Sequence, residues 1–317
     1  MAAGRDAVKA TRRAALAAGM GMILGATSDA APSRAWRVID PAARAGAAGR
    51  DLSWADLVAR MAGADAVFLG EQHDDPEAHR VEAALLAALH ERAGDRLVLA
   101  LEMLERDAQP ALDEYLAGRI AEGEFSRSVA LWPNYAADYR PLVEYARARR
   151  VPVRAANAPR RIARTVSEKG LAALDTLAPE ERRLVAEFVS APLDDYWRRF
   201  QTALGAGHGT LDAAALRRFY EAQCLKDDTM AETIVRALGE DRRIVLHVNG
   251  AFHSDGGRGI PQRVLWRRPL GVTRLLVVAV VPLRGDVARA ETGTYKGEAD
   301  FVVLVPDRRA AASKESR

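Results

Sequence analysis

Two short phrases in this 317-residue sequence carry residues suited to acid–base or metal chemistry at matching spacing: Gly70-Glu71-Gln72-His73 and Gly250-Ala251-Phe252-His253. Each glycine follows an apolar run, where it permits a tight turn that swings the histidine back over a strand end. Glu102 and Asn157 close two other apolar runs, and Asn249 directly precedes Gly250. Two imidazoles and two carboxylates at one edge suit a divalent metal ion or proton transfer. Taken singly, acidic and amide residues at strand ends commonly cap helices or tie loops. Four such ends favour a shared site. His79 joins it if the helix that follows His73 turns that face inward. His247 alternates within an apolar run and reads as a hydrogen-bonded core residue. His90 suits a helix end, and His208 sits in a glycine loop.

A second cluster is aromatic. Trp132, Tyr135 and Tyr139 place three of the 19 aromatic residues within eight positions. Such a loop can wall a flat apolar ligand, and a phenolate can bind ferric iron. The same residues could instead plug a loop, with Asp138 capping a helix. Arg160 and Arg161 follow Asn157-Ala158-Pro159 and suit carboxylates or propionates. They equally suit a solvated helix face.

Positioning these groups requires a sheet. Apolar runs at 66–69, 97–101, 151–155, 243–248, 275–281 and 301–305 alternate with helical stretches. Asp75-Pro76-Glu77 is a helix start, an N-cap acceptor followed by proline at N1. Near-continuous apolar strands separated by helices predict an α/β fold with a mostly parallel sheet covered on both faces. Helices between about 160 and 240 form an insertion between the third and fourth of these strands. The domain is expected over 51–306, with a flexible lead-in at 31–50 and a disordered tail at 307–317.

The N-terminus reads as an export signal. Lys9 to Arg13 are basic, 14–26 is apolar and short, and Ser28-Asp29-Ala30 offers a cleavage site. Thr11-Arg12-Arg13 also resembles a twin-arginine signal. A periplasmic or secreted protein is expected. It is not expected to be a lipoprotein, since no cysteine follows the signal. Cys224, the only cysteine, excludes an intrachain disulfide and a cysteine-rich zinc site, and reads as a small buried apolar residue. The net charge of +3 comes from residues 1–30 and the tail from Asp307, each at +2, leaving the body at −1. No nucleic-acid partner is expected of such a body.

These phrases together resemble the ChaN-type haem-binding proteins, bacterial haem-uptake relatives of the Tiki and erythromycin-esterase superfamily. The resemblance rests on Leu69-Gly70-Glu71-Gln72-His73-Asp74, Leu101-Glu102-Met103, the 132–141 segment and Ala156-Asn157-Ala158-Pro159. Asp227-Asp228-Thr229-Met230-Ala231 and Asn249-Gly250-Ala251-Phe252-His253 complete it. It implies an α/β fold, haem as ligand, two haems stacked face to face across a homodimer, and a tyrosine on the iron. Tyr139 and then Tyr135 are the candidate ligands, with Trp132, Arg160 and Arg161 at the pocket or propionates. An outer-membrane haem receptor or uptake system is the implied partner. The superfamily also includes hydrolases, which keeps an esterase or peptidase reading open. In that reading Glu71 or Glu102 acts as base, and His73 and His253 bind a divalent metal ion or stabilise charge.

Overall fold

Strand pairing at the centre of the chain sets the architecture. The computed structural model describes residues 32–41, 49–205, 212–239, 243–268 and 274–308. The expected export signal, the tail beyond Arg308 and His208 lie outside the described residues. Among these residues eight strands form one sheet: β1 (Arg37–Asp40), β2 (Arg50–Leu52), β3 (Ala66–Glu71), β4 (Leu97–Glu105), β5 (Val153–Asn157), β6 (Ile244–Gly250), β7 (Leu275–Leu283) and β8 (Phe301–Pro306). Their order is β2-β1-β8-β7-β3-β6-β4-β5. Strands β3 to β8 pair in parallel, and β1 runs antiparallel to both β8 and β2. The fold is α/β with a mostly parallel sheet, as the alternation predicts.

Alternation within the strands feeds two cores. On one face Val67, Leu69, Leu99 and Leu101 pack with Leu57 and Met61 of α1 (Trp54–Ala62) and Leu85 and Leu89 of α2 (Pro76–Ala93). Then come α3 (Gln109–Leu116), α4 (Glu122–Ser128) and α5 (Arg140–Arg149), of which Leu112, Phe125 and Leu142 join the same face. On the other face Phe68, Val98, Ala100 and Val245 meet later helices. The insertion supplies α6 (Arg160–Lys169), α7 (Asp195–Gly205) and the long α8 (Ala213–Leu238), and α9 (Ile260–Arg267) follows β6. Met230 and Ile234 of α8 and Val264 of α9 complete the second core. Among the described residues, no helix is long and apolar enough to cross a membrane.

Helix α2 starts as its sequence dictates, with the Asp75 carboxylate accepting from the Glu77 and Ala78 amides at 2.8 and 3.1 Å. Two expectations need correction. The lead-in at 31–50 contains β1, in which Ile39 is fully buried and Val38 pairs with Val303 of β8. Two apolar residues are too few for a period-two signal, and only the exposed edge of β8 makes them a strand. Within the insertion, the sequence reads 179–189 as one of its helices, but a single turn forms there, at Pro179–Arg182. The tail is tied at its first residue, where the Asp307 amide donates to Leu283 O.

Candidate functional site

The carboxyl ends of β3, β4 and β6 converge, and register brings their polar residues together. Glu71 pairs with Gly250 across β3 and β6. Strand β4 follows β6 only as far as Leu101, and its register with β5 slips between Leu101 and Glu105. Such a bulge re-aims a side chain. Here it turns Glu102 inward, and its Oε2 accepts from the Gly250 amide at 2.8 Å, where the ladder would otherwise end unpaired.

Glu71 is 1% exposed and is shared by two groups of partners. Its Oε1 accepts from Tyr139 OH at 2.8 Å and faces His73 Nδ1 at 2.7 Å. Its Oε2 lies 3.1 Å from His79 Nδ1. Burial opposes ionisation of Glu71, but the bonds from His73 and His79 hold its carboxyl well below the usual range. The same pairing raises His73, despite its partial burial. Its side chain is 41% exposed, and the ring meets Trp132 edge-on at 4.8 Å. The close approach of strand and loop needs Gly250: a Cβ there would stand 2.7 Å from His73 Nε2 and Cε1.

His253 forms the second centre. Its Nδ1 lies 2.5 Å from Asp227 Oδ1 and its Nε2 lies 3.3 Å from Glu102 Oε1. Burial pushes this imidazole down, but Glu102 and Asp227 outweigh it and raise it to about 10. Burial likewise opposes the Glu102 charge, and His253 and His73 hold that carboxyl down to about 2. This pair stays ionised through neutral pH. Both His253 nitrogens face carboxylates, so the two Gly-x-x-His histidines share no metal position. Among the described residues, the group of metal-ligating side chains close enough for one ion is Glu71, His79 and Glu82.

A cleft of about 360 Å³ opens over Glu71, His73 and His253, walled by Phe200 and Leu204 of α7 and by Phe252. A second hollow of about 270 Å³ is lined by Glu105, Trp132, Asn157, Arg160 and Lys226. The touching rings of His73 and Trp132 belong one to each.

The expected residues separate into three groups. Glu71, His73, Glu102 and His253 meet at the cleft, and His79 does turn inward to join Glu71. Asn157 and Asn249 tie loops: Asn157 Oδ1 accepts from the Ala158 amide, and Asn249 Nδ2 donates to Gly250 O and Ser254 Oγ. Arg160 donates to Glu105 beside Trp132, whereas exposed Arg161 pairs with Asp107 and Glu181, away from the cleft. The two candidate tyrosines lie inside the protein. Tyr139 is fully buried with its hydroxyl on Glu71, and Tyr135 is 4% exposed. Burial pushes both phenols up, and Glu71 adds to the effect at Tyr139. In this arrangement the surroundings favour the neutral phenols.

Residues on helices were not evident from strand ends. Asp227 and Gln223 reach His253 from α8, and Glu82 reaches His79 within α2. The sequence signal for Glu82 is its position three after His79 on one helix face. His247 and Cys224 are fully buried as expected, with His247 Nδ1 3.1 Å from Ala100 O.

A parallel sheet with a carboxylate–imidazole cluster at its strand ends defines the class of protein. The family described as haem-binding uptake, Tiki superfamily, ChaN matches residues 57–264, and the chain belongs to that family. The structure of Campylobacter jejuni ChaN with cofacially bound haem superimposes with a TM-score of 0.64 at 19% identity, covering 86% of this chain and 97% of that one. An erythromycin esterase mutant in its open conformation matches with a TM-score of 0.44 at 16% identity, over 80% of this chain and 78% of that one. RETICULATA-RELATED 5, a chloroplastic protein of Arabidopsis thaliana, is 28% identical over 242 residues, 71% of this chain. The chain spans about a third of that relative's length, the match covering 32% of it.

Proposed function

We propose that this protein binds haem over the cleft, with His73 as the iron donor, and serves haem or iron acquisition or storage. One observation carries the reading: a 41% exposed imidazole whose Nδ1 is fixed by a buried carboxylate. That carboxylate–histidine pairing orients a metal-binding ring and raises its basicity. The described residues fit a haem in other respects. Phe200, Leu204 and Phe252 offer an apolar wall, and Arg160 and Lys226 beside Trp132 suit propionates. A bound haem supplies a Lewis-acidic iron and a flat apolar surface. Glu71 holds the Nδ1 proton of His73, and Tyr139 steadies Glu71 as a positioning residue.

Hemin titration followed by absorption tests the assignment. His73→Ala is expected to shift the Soret band and weaken binding at least tenfold, whereas Tyr139→Phe keeps the band shape. Because His73 is raised in the free protein, iron competes with a proton, and wild-type affinity is expected to increase with pH. Loss of the band in Tyr139→Phe with an unchanged His73→Ala spectrum would instead assign the iron to the phenol, as the family resemblance implies.

The reading extends to an exported, periplasmic protein that pairs as a homodimer when loaded and receives haem from an outer-membrane receptor or uptake system. The N-terminal signal pattern supports export, and the cofacial haems of the Campylobacter jejuni relative support pairing.

A hydrolase is the second reading, favoured by the Glu102–His253–Asp227 chain opening on the same cleft. Its fixed charges suit stabilisation of a developing charge, and His73 is the exposed group able to exchange a proton. Ester or peptide turnover abolished by His73→Gln supports it. Absence of turnover across the panel counts against it.

A further inference from the structure

We infer that Glu71, His79 and Glu82 form a binding site for one divalent transition-metal ion beneath the cleft, separate from the iron-donor position. Glu71 comes from the end of β3, and His79 and Glu82 stand three apart on one face of α2. This i, i+3 pairing of imidazole and carboxylate is a spacing that helices use to present two ligands to one ion.

The distances fit an ion better than they fit hydrogen bonds. His79 Nδ1 stands 3.1 Å from Glu71 Oε2 and 3.3 Å from Glu82 Oε2. Charge-assisted bonds run about 2.7–2.9 Å, and one N–H cannot serve two carboxylates well. Ligands held at about 2.0–2.2 Å around an octahedral or tetrahedral ion stand roughly 2.8–3.6 Å apart. The candidate ligand atoms of all three residues lie within 4.8 Å of one another.

Unpartnered buried oxygens provide the independent observation. Glu71 Oε2 and Glu82 Oε1 are sealed from solvent: Glu82 Oε1 has no hydrogen-bond partner among the described residues, and Glu71 Oε2 is approached by His79 Nδ1 at 3.1 Å without a well-aligned bond. Glu71 is 1% exposed and Glu82 is fully buried. Buried acceptors of this kind are costly unless a cation or donor reaches them.

The surrounding bonds are those that a metal-binding histidine and carboxylate need. His79 Nε2 faces His73 O at 3.3 Å and Asp138 Oδ2 at 3.5 Å, leaving Nδ1 for the ion. Asn134 Nδ2 donates to that same His73 O at 3.0 Å and to Asp138 Oδ2 at 2.8 Å, which fixes both acceptors. On the other side Tyr139 donates to Glu71 Oε1, so Glu71 is oriented with Oε2 toward the cluster. One imidazole and two carboxylates favour manganese, iron, cobalt or zinc over calcium and magnesium.

Cobalt(II) is the probe for the test. Purified full-length protein, stripped with chelator, is titrated with cobalt(II), and binding is followed by visible absorption and by metal analysis after desalting. One retained equivalent is expected, displaced by zinc. Glu82→Gln and His79→Gln are each expected to weaken binding more than about 100-fold, beyond the roughly 10–100-fold cost of losing an outer hydrogen bond. Tyr139→Phe falls within that smaller range, and His253→Gln retains the ion. Circular dichroism confirms that each variant is folded, and the wild-type stoichiometry is decisive without any variant. No retained cation in the wild type, or binding that survives Glu82→Gln and vanishes in His253→Gln, overturns the site. Hemin titration of the same samples separates the two ideas: intact hemin binding without a retained cation removes this site alone.

Discussion

Replacing Arg263 by leucine is expected to lower stability by about 3–5 kcal/mol, the cost of stranding a buried charge. Arg263 lies on α9, 1% exposed, between the two acidic residues of α8. Its Nε stands 3.4 Å from Asp228 Oδ2, and its Nη1 stands 3.9 Å from Asp227 Oδ2. It also donates to Gly259 O and Ser190 O, and its guanidinium lies over Tyr196 and Trp266. Asp228 keeps a second cation, Arg267 at 2.7 Å, whereas the cation left beside Asp227 is His253. The loss therefore reaches the cleft, because Asp227 fixes His253. Urea denaturation of the variant measures the effect. A change under 1 kcal/mol would mean that water reaches this cluster.

Stability is also expected to follow a plateau in pH, to which Glu102 and His253 both contribute. Glu102 is depressed to about 2, so its contribution is present above an unfolded value near 4.5 and is lost as pH falls from there toward 2. His253 is raised to about 10, so its contribution is full below an unfolded value near 6.5 and is lost as pH rises toward 10. The maximum lies between roughly pH 4.5 and 6.5, with a fall on the order of a few kcal/mol on either side. Thermal melting across pH in wild type and His253→Gln checks it. The variant is expected to lose the His253 share of the alkaline limb, leaving that of His79 and His73, which are raised as well, and an alkaline limb unchanged in it would assign the whole limb to those two.

The sheet was legible because its strands are long apolar runs, and the Gly-x-x-His phrases marked where two of them end. Glu71, His73, Glu102 and His253 could be grouped because strand ends share an edge by topology. Asp227, Glu82 and Arg263 follow no such rule. Each sits on a helix, where an inward charge interrupts the apolar stripe and resembles a solvated position until the packing is known. Strand β1 was hidden for a related reason: Val38 and Ile39 become strand only when β8 offers its edge. The tyrosines show the limit of residue type. A phenol suits iron in a loop, and it suits a buried carboxylate equally: Tyr139 donates to Glu71.

Strand β6 also governs when the protein can exist as a folded body. It lies between β3 and β4, although the whole helical insertion precedes it in the chain. A chain growing from its N-terminus thus carries two central strands with no shared neighbour until the residues around Ile244 emerge. Long-range pairings of this kind, such as Ala66 with Val245, form slowly and leave sticky edges exposed meanwhile. Gly250 and His253, which complete the cluster, arrive on that same late strand and its turn. A chain cut short before it has neither the link between β3 and β4 nor the cluster, and β7 and β8 then complete the sheet around a site already assembled.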